Sequence, residues 1–223
     1  MSKRILVVAA HPDDEILGIG GTVINHAVKG DETYCLILAE GVKSRESGTD
    51  EEVKELRQQG LMAGKILGYK DIFFAGLPDN SLDTISLLSV AKEVERCLEK
   101  IKPDILYTHF ENDLNIDHRI AFRAVTTASR PCNNNCPKEI YTFETLSSTE
   151  WQGKNGQKFA PNCYINIENT IDKKIEAMKK YKNEMRKYPH SRSAEGIKIL
   201  AQYRGLECGL KFAEALQLVR RIV

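Results

Sequence analysis

The chain has 223 residues, with 32 Lys plus Arg against 31 Asp plus Glu and a formal net charge of +1. This length suits one domain with a sizeable core. The near balance of charges provides no field of one sign that would attract nucleic acid or an anionic membrane surface. The longest apolar runs, such as residues 5–10, fall far short of the roughly 18 residues that indicate a membrane span. We therefore expect a small-molecule partner, with no nucleic acid and no membrane span. The cytoplasm is the expected compartment, because the first residues show no signal-peptide pattern.

The first half of the sequence alternates β-rich runs with longer amphipathic segments. Predicted strands cover residues 3–10, 33–39, 71–75 and 105–109. Predicted helices cover residues 15–29, 51–67, 87–101 and 118–129, and Gly30 and Gly68 close the first two. This alternation is typical of a doubly wound α/β fold, a mostly parallel sheet with helices on both faces.

After Pro137 the pattern changes, and this part is predicted to extend or cap the sheet. Short strands are predicted at residues 139–143 and 163–167, and helices at residues 171–188 and 194–206, separated by residues 189–193. No internal repeat, low-complexity segment or linker marks a boundary. Residues 1–223 are therefore predicted to form one domain, with a core of about residues 1–130 and a C-terminal extension over residues 131–223.

The six cysteines are predicted to be free thiols, because they are scattered in a chain that needs no covalent staples. Only Cys132 and Cys136 are close, in a loop rich in Asn. No second Cys or His pair follows them at zinc-ribbon spacing, so we interpret the loop as solvated rather than metal-binding.

A run of ionisable residues follows the first strand: His11-Pro12-Asp13-Asp14-Glu15. Uncompensated carboxylates beside a core cost on the order of several kcal/mol, so a cation would explain why they are tolerated there. Ligands of open α/β sheets also bind at strand ends. The alternative is a polar loop in which Asp13 or Asp14 caps the next helix.

A second polar cluster follows the fourth strand, which ends in Thr108-His109 and leads through an acidic loop to His118. In a doubly wound sheet, the order reverses between strands one and four and opens a crevice at their carboxyl ends. One His and one Asp from the first loop, with one His from the second, would give three ligands and leave a position for water, as in catalytic zinc sites. The spare carboxylate, Asp13 or Asp14, would then be a candidate general base.

These residues resemble the PIG-L/LmbE-like zinc de-N-acetylases. The motifs that carry the resemblance are Ala10-His11-Pro12-Asp13-Asp14-Glu15, Gly20-Gly21-Thr22 and Asp117-His118. The resemblance covers residues 5–130, with weaker similarity through residues 189–193. It implies a Rossmann-like fold, Zn²⁺ held by His11, Asp14 and His118, and Asp13 as general base. It also implies an N-acetylated glucosamine derivative or a related amide as the substrate.

One position departs from the family. Many members carry a further His three residues before the metal-binding His, where this chain has Asn115. That His is proposed to polarise the carbonyl or protonate the leaving amine. The role could pass to His109 or His190, or Asn115 could donate a hydrogen bond to the oxyanion. Asp117 is expected to orient a metal-bound imidazole.

Four further residues are candidates for substrate binding: Arg45, Arg57, Asp79 and Arg192. Arg45 and Arg57 follow strand two, where relatives place a substrate-binding arginine, and Asp79 follows strand three at the same edge. Each residue also has an interpretation without a role in binding. Arg45, Arg57 and Asp79 could be ordinary surface charges, and Arg192 could be an ordinary loop residue.

The expected reaction is zinc-dependent hydrolysis of an N-acetyl group from an N-acetylglucosamine-type sugar or glycoconjugate. One alternative is a magnesium-dependent phosphohydrolase, because paired aspartates suit a hard cation. The two histidines favour zinc, and there is no Gly-rich phosphate loop. The other alternative is a non-catalytic sugar-binding metalloprotein, although structural zinc sites usually have four protein ligands. A homo-oligomer is compatible with the sequence.

Overall fold

The computed structural model describes residues 2–42, 48–132, 135–153 and 156–223. These residues form a seven-stranded sheet in the order β3-β2-β1-β4-β5-β7-β6. The strands are Arg4–Ala9 (β1), Glu32–Ala39 (β2), Asp71–Leu77 (β3), Ile105–His109 (β4), Glu139–Phe143 (β5), Cys163–Asn166 (β6) and Ala213–Arg221 (β7). Strands β1 to β5 pair in parallel, whereas β7 runs antiparallel to both β5 and β6. The predicted α/β class with a mostly parallel sheet is confirmed.

The described residues also form six α-helices. They are Asp14–Val28 (α1), Asp50–Leu67 (α2), Leu87–Ile101 (α3), Ile116–Ala128 (α4), Ile171–Met178 (α5) and Ala194–Cys208 (α6). Helices α1, α2, α5 and α6 contribute to one apolar core and α3 and α4 to another, so the sheet is covered on both faces. The predicted double winding is confirmed.

Strand β1 positions the site. Ile5, Leu6, Val7 and Val8 are fully buried, as expected for a strand covered on both faces. It pairs with β2 on one side and β4 on the other. The strand order therefore reverses beside β1, and the loops after β1 and β4 meet at one edge of the sheet.

Helix α1 is bent at Ile19, whose φ of −138° lies outside the helical range. The N–H groups of Gly21 and Thr22 donate to the two carboxylate oxygens of Glu214, from β7, at 2.8 and 2.7 Å. Lys174 of α5 donates to Glu214 at 2.7 Å and to a carbonyl of α1 at 2.9 Å. A buried ion pair thus satisfies backbone groups at the bend and ties the C-terminal part of the chain to α1.

The predicted helix over residues 171–188 is wrong beyond Met178. Helix α5 ends there, and the chain continues through turns to the start of α6. The sequence after Met178 is polar and helix-compatible, but Tyr181 and Glu184 are buried among groups distant in sequence. Tertiary contacts therefore override local helix propensity in this segment.

Strand β7 was not predicted, because no element was assigned after residue 206. Its sequence, Ala-Glu-Ala-Leu-Gln-Leu-Val-Arg-Arg, begins with good helix formers that do not indicate a strand locally. It lies between β5 and β6 and pairs with both, so the sheet itself provides its hydrogen bonds.

None of the helices in the described parts of the chain is long and apolar enough to cross a membrane.

All six cysteines are free, as predicted. Cys136, in the loop before β5, accepts a hydrogen bond from Arg220 of β7 at 3.0 Å.

Candidate metal centre and active site

The loop after β1 has an unusual backbone at Asp13. Its φ of 98° is left-handed, which is uncommon for a residue other than Gly. The Asp13 N–H donates to Glu15 Oε2 at 2.9 Å, and the hydroxyl of Tyr181 donates to Glu15 Oε1 at 2.9 Å. Burial raises the pKa of Glu15 to about 7. Glu15 and Tyr181, which sequence analysis did not select, thus hold the conformation of this loop.

His11, Asp14 and His118 converge at the carboxyl ends of β1 and β4. Asp14 Oδ2 lies 3.3 Å from His11 Nδ1 and 3.2 Å from His118 Nε2. One ligand atom from each of the three residues lies within 4.8 Å of the other two. The structure therefore brings together the three residues named from the sequence, and two nitrogens and one oxygen suit zinc.

The outer nitrogen of each imidazole faces a second carboxylate. His11 Nε2 lies 3.0 Å from Asp117 Oδ2, within a hydrogen bond. His118 Nδ1 lies 3.1 Å from Asp113 Oδ1, but these two atoms are not aligned as a hydrogen bond. Such carboxylates commonly orient metal-bound histidines. Asp117 therefore contacts His11, and its role in orienting that imidazole stays a prediction. Asp113, which lies in the acidic loop before His118, was not selected from the sequence.

Hydroxyl and amide groups fix both outer carboxylates. The hydroxyls of Ser148 and Thr149 donate to Asp113. Asp117 Oδ1 accepts from the N–H of Leu82 at 3.0 Å. These contacts cover sequence separations of 35 or 36 residues, which explains why the partners of Asp113 and Asp117 could not be read from local spacing.

The charges of the cluster favour a bound cation. Burial opposes charge on His11, but hydrogen bonds to Asp117 and Asp14 raise its pKa to about 10. Burial likewise opposes charge on His118, but the charge of Asp14 and the nearby Asp113 carboxylate raise its pKa to about 8. Both shifts show that the surrounding carboxylates stabilise positive charge here, so the donor set and its surroundings fit a metal ion.

Asp13 is 2% exposed and lies beside this cluster. Arg192 Nη1 donates to Asp13 Oδ2 at 2.9 Å and to Glu184 Oε2 at 3.2 Å, and Arg192 Nε donates to Ser147 Oγ at 2.5 Å. Burial raises the pKa of the Asp13 carboxyl well above its ordinary value, although the Arg192 guanidinium opposes that shift. Arg192, a candidate for substrate binding, therefore contacts the candidate base directly.

His109 lies behind the cluster and is fully buried. The N–H of Ala10 donates to its Nε2 at 2.8 Å, and Thr145 Oγ1 lies 3.3 Å from its Nδ1. Its ring stacks on His118 with a centroid distance of 3.9 Å. Burial and the nearby His118 lower the pKa of His109 to about 3, so this imidazole is neutral.

The other two candidates for proton transfer or oxyanion binding have local partners. Asn115 caps α4, with its Oδ1 accepting from the N–H of Asp117 at 2.8 Å and its Nδ2 donating to Asn80 at 3.0 Å. His190 Nδ1 accepts from the N–H of Arg192 at 3.1 Å, and its ring meets Trp151 edge to face at 5.6 Å. Asn115 thus adjoins the metal-ligand loop, whereas His190 lies on the segment that carries Arg192.

The remaining candidates for substrate binding are divided between two places. Asp79 is buried, and its Oδ1 lies 3.5 Å from His11 Nε2. Together with His11 and Asp117, it forms a second group that could hold a cation. Arg57 instead pairs with Glu40 at 3.4 Å and lies over the ring of Phe74. Arg45 lies outside the described residues.

A mostly parallel α/β sheet with two histidines and an aspartate at the carboxyl ends of adjacent strands defines a class of metal-binding α/β protein. Residues 6–129 match the PIG-L family, described as GlcNAc-PI de-N-acetylase. Since the match covers more than half of the chain, the chain belongs to this family of metal-dependent amide hydrolases.

Three further similarities extend beyond the matched core. The chain is 22% identical over 189 residues to the probable N-acetyl-alpha-D-glucosaminyl L-malate deacetylase 2 of Bacillus anthracis, covering 82% of this chain and 81% of that protein. It is 24% identical over 230 residues to the diacetylchitobiose deacetylase of Thermococcus kodakarensis, covering 97% and 83%. The structure of GalB, the 4-carboxy-2-hydroxymuconate hydratase of Pseudomonas putida, is 21% identical with a TM-score of 0.77, covering 99% and 98%. That last likeness shows the fold alone.

Proposed function

We propose that this protein is a zinc-dependent hydrolase that removes the acetyl group from the nitrogen of an N-acetylglucosamine-type sugar or glycoconjugate. The observation that carries the proposal is the convergence of His11, Asp14 and His118 beside a buried Asp13. Family membership supports the amide-cleaving chemistry, and the deacetylase names of the two curated relatives support an acetamido sugar as the substrate.

In the proposed mechanism, His11, Asp14 and His118 would hold the metal. Zinc there would lower the pKa of a water molecule and polarise the amide carbonyl. Asp13 would accept the proton of the attacking water, and Arg192 would hold the Asp13 carboxylate in position. Asp117 and Asp113 would orient the two imidazoles.

Breaking the amide C–N bond requires a proton on the leaving nitrogen, because an amide anion is too basic to leave unaided. Asp13 could return the proton that it took from water. His190 is a second candidate, since it is half-buried on the segment that carries Arg192. Asn115 Nδ2 could donate a hydrogen bond to the developing oxyanion. The products are acetate and a free amine.

The likeness to a hydratase requires a test of the reaction itself, because one fold can host unrelated chemistries. A hydratase adds water to a carbon–carbon double bond and releases no acid, whereas a deacetylase releases one acetate for each amine formed. The magnesium-dependent phosphohydrolase is not favoured, because two imidazole ligands suit zinc better than magnesium.

The decisive experiment measures metal content and acetate release with purified protein and a panel of N-acetylglucosamine derivatives. We expect one equivalent of zinc, equal amounts of acetate and amine, loss of activity with a chelator, and recovery on adding zinc. Tightly bound zinc without acetate release from any member of the panel would contradict the proposed function.

We also infer that residues 1–223 act as one domain in the cytoplasm. Strand β7 supports a single domain, since it pairs β5 of the core with β6 of the extension. Six free cysteines support a reducing compartment.

A further inference from the structure

A cavity of about 490 Å³ lies beside the candidate active site. Four segments form its walls: residues 144–152 after β5, residues 158–159 before β6, residues 188–191 before α6, and one side of α6 itself. Its volume falls within the range of about 300–1,000 Å³ that is typical of small-molecule sites. The proposed mechanism leaves this cavity unused.

Two residues join the cavity to the catalytic cluster. Thr149 lines the cavity, and its hydroxyl donates to Asp113, which faces His118. Ser191 also lines it and directly precedes Arg192, whose guanidinium binds Asp13. The cavity is thus connected to the metal-ligand residue His118 through Thr149 and Asp113. It is connected to the candidate base, Asp13, through Ser191 and Arg192. Through these two links, the remaining part of a molecule held at the cluster could reach the cavity.

The surface of the cavity is largely apolar and aromatic. Leu146, Phe159, Tyr188, Ile199, Leu200 and Tyr203 line it. Tyr188 is 61% exposed, Ile199 51% and Tyr203 53%, so these three form an open mouth rather than a closed core. Exposed aromatic and aliphatic side chains around a concavity are a common mark of a ligand site.

The charged groups of the cavity are balanced, and the buried arginine is already paired. Arg204 makes two parallel hydrogen bonds to Glu144, each 2.6 Å long, and also pairs with Glu207. The other charged residues of the lining are Glu150 and Lys158. Two acids face two bases, so the lining offers no excess of positive charge to a carboxylate or phosphate.

We propose that this cavity binds an uncharged apolar aglycone, an aryl or alkyl group attached to the N-acetylated sugar whose amide is cleaved. This inference rests on the proposed function. The group removed is acetyl, as in the family description, so the cavity is assigned to the rest of the substrate. Ser191 Oγ is shielded from solvent and has no hydrogen-bond partner among the described residues, so its hydroxyl could donate to the glycosidic oxygen that joins the sugar to the aglycone.

The first test compares kcat/KM for four compounds with wild-type protein: the methyl and phenyl glycosides of N-acetylglucosamine, its malate glycoside, and phenyl N-octanoylglucosaminide. We expect the phenyl glycoside to exceed the methyl glycoside by about tenfold or more, as burial of one aromatic ring allows. The malate glycoside should not exceed the methyl glycoside. Preference for malate would overturn the proposal, and preference for the N-octanoyl compound would assign the cavity to the acyl chain instead.

The second test uses Ile199→Asp and Tyr203→Ala, two substitutions at the partly exposed mouth. Each should lower the phenyl-to-methyl ratio of kcat/KM towards one. Leu206→Ala is the matched control, because Leu206 lies on the same helix, is 81% exposed and does not line the cavity. An unchanged ratio in both mouth variants would overturn the proposal. So would a wild-type dimer that Ile199→Asp converts to monomer, since a second copy would then cover the cavity.

Direct binding separates failure of this inference from failure of the proposed function. Trp151 is the single tryptophan of the chain and lies next to the lining residues Glu150 and Gln152. Its fluorescence should change on titration with phenyl N-acetylglucosaminide, and Ile199→Asp should weaken this binding by about tenfold. Binding without acetate release would contradict the deacetylase function but support an aglycone site in the cavity. Acetate release with no preference for the phenyl glycoside would support the deacetylase function but contradict the aglycone site.

Discussion

The metal-ligand cluster and the C-terminal part of the chain form one site by different means. The cluster comes from two short loops within the family-matched core, and it needs only two strand ends brought together by the sheet. The C-terminal part contributes Arg192 and Tyr181 through contacts with residues more than 100 positions away, and all of the lining residues of the cavity belong to it. Under the proposed function, the core would hold the metal, and the extension would position the base and bind the rest of the substrate.

The largest expected effect follows from breaking the cluster itself. His118→Ala should lose most of the bound zinc and the activity, because a three-ligand site reduced to two holds zinc much more weakly. Zinc content after dialysis, together with acetate release, measures both. The control is His26→Ala, since His26 contacts Asp31 and Tyr107 at the other edge of the sheet. A full equivalent of tightly bound zinc in His118→Ala would remove His118 from the ligand set.

The adjacent aspartates should respond differently to the same change. Asp14→Asn should lose metal, whereas Asp13→Asn should keep zinc and lose a factor of about 10²–10⁴ in kcat, the range for a positioned general base. Asp13 contacts Arg192, whereas Asp14 lies between two imidazoles, which is the physical reason for the difference. Zinc stoichiometry and kcat on one accepted sugar test the pair. Loss of zinc in Asp13→Asn with retention in Asp14→Asn would reverse the roles.

The core could be predicted from sequence because its signals are local. The apolar run of β1 ends directly at His11, and the acidic loop after β4 leads to His118, so the strand order alone brings both to one edge. The structure brings His11, Asp14 and His118 together as expected, and it places Asp117 against His11.

The C-terminal part was harder to predict because its structure depends on distant partners. Arg192 and Asp13 are 179 residues apart, and Tyr181 and Glu15 are 166 residues apart. Local propensity favoured a helix through Tyr181, yet burial of its ring and its hydrogen bond to Glu15 ended α5 early. Strand β7 likewise consists largely of helix formers and is a strand because two partner strands flank it.

A third prediction tests the attachment of the extension to the core. Lys174→Met should lower the free energy of unfolding by about 3–5 kcal/mol, because it leaves the buried Glu214 carboxylate without its cation. Adding Glu214→Gln should recover part of that loss, since the amide keeps an acceptor for the N–H groups of α1. Urea denaturation measures both variants against Lys173→Met, an exposed neighbour on the same helix. Equal stability of Lys174→Met and Lys173→Met would show that the pair does not hold the bend.

The smallest expected effect distinguishes the two roles open to Arg192. If Arg192 mainly holds Asp13, Arg192→Met should lower kcat by about tenfold, the value of one charged hydrogen bond, and change KM by less than about twofold. If it mainly binds substrate, KM should rise while kcat stays near the wild-type value. Arg192→Lys should recover only part of kcat, because a single ammonium cannot reproduce the contacts of the guanidinium to Asp13, Glu184 and Ser147 together. Both variants should still bind one equivalent of zinc. Arg186→Met is the control, because Arg186 is an exposed arginine in the same segment. We expect the fall in kcat, because the shorter of the two hydrogen bonds from Arg192 to a carboxylate goes to Asp13, the candidate base. A rise in KM alone would instead assign Arg192 to substrate binding. Asp13 would then be positioned by the loop backbone and Glu15.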